Sequence, residues 1–134
     1  MNGSHSEFGG PSLSAESCPW RVFSFDLDGT LARRATSLHM ANGLGHGDLI
    51  RDLEDQYERG SLSARAFAEA EARFYAGLSM TRISELLADL PFIDGIAETL
   101  QALRERNVHA IIGTGAWRFA AQIVGDRFGV SEVS

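Results

Sequence analysis

The sequence contains one cysteine, Cys18, and little positive charge. A single cysteine excludes an intramolecular disulfide framework, and we interpret Cys18 as a small half-buried side chain rather than a catalytic thiol. The 12 basic residues are scattered and stand against 18 acids, which gives a formal net charge of -6. This balance argues against a nucleic-acid-binding surface and against a polybasic membrane-binding segment. No apolar run approaches the ~18 residues that a membrane span needs.

The first 17 residues also lack the apolar stretch of a signal peptide. We predict that residues 1–19 form a flexible N-terminal tail, natural or left from expression, and that the protein is cytoplasmic. The whole chain is 44% hydrophobic and 22% charged over 134 residues, which is ordinary for a soluble globular protein. This length favours one compact domain or one core with a small insertion.

Apolar segments and polar loops alternate along the rest of the chain. The runs 21–25 and 108–112 are rich in β-branched and aromatic residues and predict buried strands. Between them, residues 35–90 show helical spacings and predict a small helical bundle. Caps and spacings predict helices beginning at Asp48, Ser63, about Thr81, Asp94 and after Gly115, and a third strand starting near Val130.

This alternation is typical of a parallel α/β sheet. We therefore predict an α/β fold with a parallel sheet core at residues 20–34 and 91–134 and a helical bundle at 35–90, the segment for which the resemblance given below implies a cap. Ligands of such sheets bind beyond the carboxyl ends of the strands. The polar loops Asp26–Thr30 and Gly113–Gly115 both lie at such ends, so we expect them to meet at one site.

The loop Asp26–Thr30 contains the residue types that phosphoryl transfer requires. A carboxylate held rigidly at the end of a strand, Asp26, can attack phosphorus and form an acyl phosphate. Asp28 can protonate the leaving oxygen and then deprotonate the water that releases phosphate. Two carboxylates beside a phosphate dianion require a cation, and their oxygen atoms suit Mg²⁺. Gly29 permits a tight turn, and Thr30 offers a hydroxyl and a backbone N–H.

The run Phe-Asp-Leu-Asp-Gly-Thr-Leu at residues 25–31 resembles the first motif of the haloacid dehalogenase superfamily. The strand and loop at 110–115 resemble the second motif of its phosphoserine phosphatase branch. The resemblance implies a Rossmannoid core, incomplete in this chain, with an inserted helical cap. It implies Asp26 as the nucleophile and a Mg²⁺ ligand, and Asp28 as the general acid/base and a Mg²⁺ ligand through its backbone carbonyl. It also implies substrate-binding roles for Gly29, Thr30, Thr114 and Gly115.

The sequence departs from phosphoserine phosphatases where they bind the amino-acid part of the substrate. They have a glutamate for the ammonium where this chain has Ala35, and a cap arginine for the carboxylate near Glu69 or Glu71. These differences argue against phosphoserine as the substrate. The family's third-motif lysine and fourth-motif acids follow the second motif, and this chain ends before both, so we expect a fragment or a reduced homologue. Three other basic residues are interpreted as solvated surface: Arg33, Arg34 and Arg73.

Two classes of function follow from these features. The first is a Mg²⁺-dependent phosphomonoester hydrolase that acts on a small phosphorylated metabolite through an aspartyl-phosphate, with a phosphomutase as its close alternative. The second is a truncated, non-catalytic binding or interaction module on the same fold. An incomplete sheet leaves an exposed edge, which also predicts association into a homo-oligomer.

Overall fold

The computed structural model describes residues 19–134, so Cys18 and nearly all of the predicted tail lie outside the described residues. The elements, in chain order, are β1 (Val22–Phe25), α1 (Thr36–Gly43), α2 (Gly47–Glu58), α3 (Ala64–Tyr75), α4 (Met80–Leu87), α5 (Ile96–Glu105), β2 (His109–Ile112) and α6 (Arg118–Phe128). The predicted α/β class is confirmed. None of the helices between residues 19 and 134 is long and apolar enough to cross a bilayer.

The two strands form a parallel pair in which Phe25 of β1 lies opposite Ile112 of β2. Val133 adds an isolated parallel bridge to Ile112. The predicted parallel sheet is therefore confirmed, whereas the predicted third strand is present only as this single bridge. Behind the sheet, the buried side chains of α5 and α6 form the core with the strand ends: Leu27, Ile96, Leu100, Ile112, Ala120, Ala121 and Val124.

β1 is more exposed than its sequence predicts. Val22 is 51% exposed and Phe23 is 47% exposed, and Phe25 at the end of the strand is half-buried. The prediction of a buried strand at 21–25 is therefore wrong. Apolar residues favour burial, but burial also needs covering elements, and within residues 19–134 β1 pairs with β2 alone.

Three predicted helix caps differ in their outcome. Ser63 caps α3 as predicted, because its Oγ accepts a hydrogen bond from Ala66 N at 3.2 Å. Asp48 is not a cap, since it lies inside the first turn of α2. Asp94 is not a cap either, because α5 begins after Gly95, whose φ of 86° lies in the left-handed region that glycine tolerates.

The helices α1 to α4 pack together as the predicted small bundle, here called the cap. α1 packs on α2 and α4, and α2 packs on α3. Within the bundle the buried apolar side chains include Met40, Ile50, Ile83, Leu86 and Leu87. No separate helix was predicted at α1, because its apolar residues are spread around the helix rather than gathered on one face.

The chain enters and leaves the cap through two paired segments, Leu31–Arg33 and Pro91–Ile93, here called the ribbon. Ala32 and Phe92 form an antiparallel bridge, and two backbone hydrogen bonds of 2.8 and 3.0 Å flank it. Both ends of the cap are therefore fixed beside each other at the edge of the core.

Candidate active site

The two polar loops begin side by side at the carboxyl ends of the parallel strands. Gly113, the residue after β2, donates its N–H to the carbonyl oxygen of Phe25 at 2.9 Å. A Cβ at Gly113 would lie 2.6 Å from Ser24 Oγ, so glycine is what allows the two segments to approach this closely. The loops that start at Asp26 and Gly113 therefore meet, as the alternation of strands and helices predicts.

Backbone amides hold both aspartates of the first loop. Asp26 Oδ1 accepts from Leu27 N at 2.8 Å, and Asp28 Oδ1 accepts from Thr36 N at 3.0 Å. Asp26 is exposed, whereas Asp28 is half-buried. Because Thr36 is the first residue of α1, the bond to Asp28 ties the loop directly to the cap.

The environment of Asp28 raises the pKa of its carboxyl. Burial raises the pKa of this carboxyl above its ordinary value, the hydrogen bonding to Thr36 lowers it in part, and the neighbouring Asp26 charge raises it further. A carboxyl with a raised pKa keeps its proton to a higher pH than a free aspartate does, which favours donation to a leaving oxygen. The environment thus suits the acid role that the sequence predicts for Asp28.

The second loop is fixed by Thr114. Its Oγ1 accepts a hydrogen bond from Ala116 N at 3.1 Å, and its own N–H donates to Ser134 O at 3.0 Å. α6 follows at once with Arg118. The Thr114 hydroxyl therefore lies just before the N-terminus of α6, and the N-termini of helices favour anions.

A cavity of about 690 Å³ lies between the core and the cap. Its core wall includes Asp26, Asp28, Thr114, Gly115, Trp117 and Arg118. Its cap wall includes Glu54, Tyr57, Glu58, Phe67 and Glu71. Four of the predicted site residues thus line one space. Gly29 and Thr30 are exposed in the turn beside it and do not line the cavity, and the Thr30 N–H bonds Leu27 O at 3.2 Å.

The acids of the cap wall were not predicted as site residues. Glu71 is only 5% exposed, and the hydroxyl of Tyr75 lies 3.4 Å from its Oε1 and 3.1 Å from Ser37 O. Burial raises the pKa of Glu71, and neighbouring hydrogen bonds offset part of this rise. Burial also raises the pKa of Glu54, and the nearby Glu71 and Glu58 charges add to the effect. The spacing of Glu54 and Glu58, four residues apart on one helix face, is the signal that could have indicated this wall.

Aromatic rings complete both walls. On the cap wall the centroids of Tyr57 and Phe67 are 5.3 Å apart. On the core side Trp117 stacks on Phe119 with centroids 6.0 Å apart, and Tyr75 meets Trp117 edge-on at 6.2 Å. By contrast, three arginines considered from the sequence are exposed and do not line the cavity: Arg33, Arg34 and Arg73.

The donor set of the core wall suits a hard cation that is only partly held by protein. Residues 19–134 contain no group of three or more His, Cys, Asp or Glu side chains that could bind a metal by themselves. Mg²⁺ usually takes one or two carboxylates and completes its shell with water and substrate phosphate. Asp26 and Asp28 meet that smaller requirement.

Comparisons with known proteins agree with this geometry. A sequence profile described as haloacid dehalogenase-like hydrolase matches residues 23–134. The chain is 25% identical over 107 residues to a phosphoserine phosphatase of Campylobacter jejuni subsp. doylei, covering 80% of this chain and 52% of that protein. It is 27% identical over 110 residues to a phosphoserine phosphatase of Halobacterium salinarum, covering 82% and 52%. The chain therefore spans about half the length of the curated relatives it matches.

Solved structures share the fold at lower identity. A HAD family hydrolase from Salmonella enterica subsp. enterica serovar Typhi superposes with a TM-score of 0.80 at 17% identity, over 89% of this chain and 41% of that one. A phospho-aspartyl intermediate analogue of phosphoserine phosphatase superposes with a TM-score of 0.68 at 17% identity, over 85% and 55%. At such identities the likeness shows a common fold.

Proposed function

The chain belongs to the haloacid dehalogenase-like hydrolase family, and on that premise we propose that it hydrolyses phosphate monoesters through a covalent phosphate on Asp26. One observation carries the proposal: Asp26, Asp28 and Thr114 line one wall of one cavity, at the carboxyl ends of two paired parallel strands. The matched phosphoserine phosphatases support a phosphate ester as the substrate class. A small phosphorylated metabolite as substrate and the cytoplasm as location belong to the same proposal.

In the first half-reaction, a carboxylate oxygen of Asp26 attacks phosphorus and the bond from phosphorus to the ester oxygen breaks. Asp28 gives its proton to that oxygen, so the alcohol leaves neutral. In the second half-reaction, water attacks the phosphorus of the aspartyl-phosphate while Asp28 accepts a proton from it. The Asp26 carboxylate then leaves, inorganic phosphate is released, and both aspartates regain their starting states.

Mg²⁺ is the cofactor that the two acids fit. The Asp26 carboxylate and the backbone carbonyl of Asp28 would hold it, and when bound it would offset negative charge and orient the phosphoryl group. Arg118 is the basic side chain among the described residues of the cavity lining. Its guanidinium can add positive charge beside the phosphate. Thr114 would donate its hydroxyl to a phosphate oxygen, and Gly115 leaves room for the ligand at the same loop.

The test is hydrolysis of an aryl phosphate by the purified chain, with and without Mg²⁺, beside Asp26→Asn. We expect turnover that requires both the ion and Asp26, with a loss of at least about 10³-fold in the variant, since the nucleophile is removed. Asp126→Asn is the matched control, because Asp126 is exposed on α6 and does not line the cavity. Equal turnover by the wild type and Asp26→Asn would refute the proposal. Transfer of the phosphate to a sugar hydroxyl instead of water would identify a phosphomutase.

A second candidate, a non-catalytic interaction module, is favoured by the exposure of β1. Val22 and Phe23 present apolar side chains to solvent, and an unpaired strand edge is a template for pairing with another chain. The proposed occupant is a second copy of this chain, which would form a homo-oligomer through β1. Sedimentation velocity over a range of concentrations tests it, and a monomer throughout would contradict this association.

A further inference from the structure

The cavity above Asp26 is electrically polarised. Three glutamates lie on its cap wall, namely Glu54 and Glu58 on α2 and Glu71 on α3. The basic residue of the described lining, Arg118, lies on the opposite core wall, beside the loop at Thr114. A ligand that places a phosphate against the core wall therefore places its other end against carboxylates.

The glutamates of the cap wall form no ion pair within the described part of the chain, although the charge of Arg51 acts on Glu54. None of the ion pairs between residues 19 and 134 involves Glu54, Glu58 or Glu71. Glu71 is 95% buried in this state, counted from its exposure of 5%. Hydrogen bonding, including that of the Tyr75 hydroxyl at 3.4 Å, offsets part of the cost of burying this carboxylate. No ion pair offsets the rest, so the arrangement suits a ligand that supplies a positive charge.

The aromatic rings of the cavity suit the same ligand. The rings of Tyr57 and Phe67 lie 5.3 Å apart on the cap wall, and Trp117 lines the other side. Aromatic faces attract ammonium groups, including those that have no N–H to donate.

We propose, on the basis of the phosphatase function above, that the substrate is a phosphate ester of a short amino alcohol that carries an ammonium group and no carboxylate. Its phosphate meets Asp26, Thr114 and Arg118 on the core wall, and its ammonium meets the glutamates and rings of the cap wall. A carboxylate in the same position would face Glu71 and be repelled, so the cavity selects against amino-acid phosphates as well as neutral ones.

The experiment is calorimetric binding to the full chain carrying Asp26→Asn, with Mg²⁺ present, so that no ligand is consumed. The probes are O-phosphoethanolamine, phosphocholine, O-phosphoserine and glycerol 3-phosphate. We expect each cationic ester to bind roughly ten-fold more tightly than glycerol 3-phosphate, and phosphoserine to bind no better than glycerol 3-phosphate. The ratio of phosphoethanolamine to phosphocholine distinguishes a preference for N–H donors from a preference for aromatic contact.

Variants of the cap wall assign the effect to its residues. Adding Glu71→Gln should reduce the preference for cationic esters several-fold and leave glycerol 3-phosphate binding nearly unchanged. Glu69→Gln is the matched control, because Glu69 is exposed on the same helix, pairs with Arg65 at 2.8 Å and does not line the cavity. Glu58→Gln is a second, exposed cap-wall variant whose folding does not depend on a buried group.

Equal binding of cationic and neutral esters would overturn the proposal, as would a preference that survives both Glu71→Gln and Glu58→Gln. The failure of the phosphatase function is separate, because aryl phosphate turnover measures it directly. A folded chain without turnover that depends on Asp26 would defeat the catalytic proposal, while the ammonium preference in binding would still be decided by the calorimetry.

Discussion

The two walls of the cavity are built from different structural elements. The core wall places short polar side chains at the ends of two paired strands, where the backbone register sets their positions. The cap wall places long acidic and aromatic side chains on the faces of α2 and α3. The reacting groups therefore depend on the sheet, and contact with the rest of the ligand depends on helix packing. Reaction and selectivity can change separately in such an arrangement.

The largest effect is expected from a substitution in the core wall, which should reduce turnover. Asp28→Asn removes the proposed proton donor, so steady turnover of an aryl phosphate should fall by about 10²- to 10⁴-fold. An aryl oxide leaves with little help from an acid, whereas water attack on the aspartyl-phosphate still needs Asp28 as a base. Rapid mixing should therefore show a burst of released phenol before the slow steady phase. Asp94→Asn, an exposed aspartate outside this cavity, should behave as the wild type. Undiminished turnover by Asp28→Asn would contradict its role.

A smaller effect is expected from removing the Tyr75 hydroxyl, which links α3 to α1. Tyr75 is buried at 7% exposure, and its hydroxyl lies 3.1 Å from Ser37 O in α1 and 3.4 Å from Glu71 Oε1. Tyr75→Phe should lower the free energy of unfolding by about 1 kcal/mol, because buried acceptors lose a donor. Urea unfolding measures this loss. Tyr57→Phe, at an exposed tyrosine, should change stability far less, and equal changes in the two variants would contradict the assignment.

The smallest effect concerns the electrostatics of the cap wall. Because burial raises the pKa of Glu71 in the folded state above its ordinary value of 4.5, the folded protein holds this proton more tightly than the unfolded chain. Wild-type stability from this group is therefore greatest below that value and declines as pH rises through the folded pKa. Asp28, Glu54 and Tyr75 also face Glu71, and their charges act in the same direction when ionised.

Glu71→Gln should consequently be more stable than the wild type at neutral pH, by roughly 0.5–1 kcal/mol, and should lose this advantage at pH 4. Thermal unfolding at several pH values measures the difference. Glu69→Gln should show no such trend, since Glu69 is exposed. A variant less stable than the wild type at pH 7 would show that Glu71 stabilises the fold instead of straining it.

The core wall could be predicted from local signals in two separate segments. Asp26 and Asp28 follow one short apolar strand and Thr114 follows another, and parallel strands bring their carboxyl ends to one edge. The N-terminal cap of α3 could likewise be predicted, because Ser63 bonds Ala66 only three residues later. The burial of β1 was predicted wrongly, because the apolar character of Val22 and Phe23 does not specify whether another element covers them.

The cap wall could not be predicted at the same detail because it depends on helix phase. The alignment places the cap arginine of phosphoserine phosphatases near Glu69 or Glu71 without deciding between them, yet residues two apart on a helix differ by about 200° in direction. The structure turns Glu71 into the cavity and Glu69 toward Arg65 in solvent. An error of one or two positions therefore exchanges a ligand-facing group for a surface group, and only the packing of α3 on α2 decides between them.

The ribbon has a consequence for how such a protein can diversify. Its two segments leave the core as neighbours joined by backbone hydrogen bonds. The helices α1 to α4 are therefore an insertion between two adjacent points of the core. Paired antiparallel segments lie only about 5 Å apart, and a short linker could span them. A helical insert of different length or composition could therefore be exchanged at this point while the strand order and Asp26 keep their places. The ribbon is therefore a point at which one helical insert can be replaced by another, in evolution or by design, while the residues of the core wall stay unchanged.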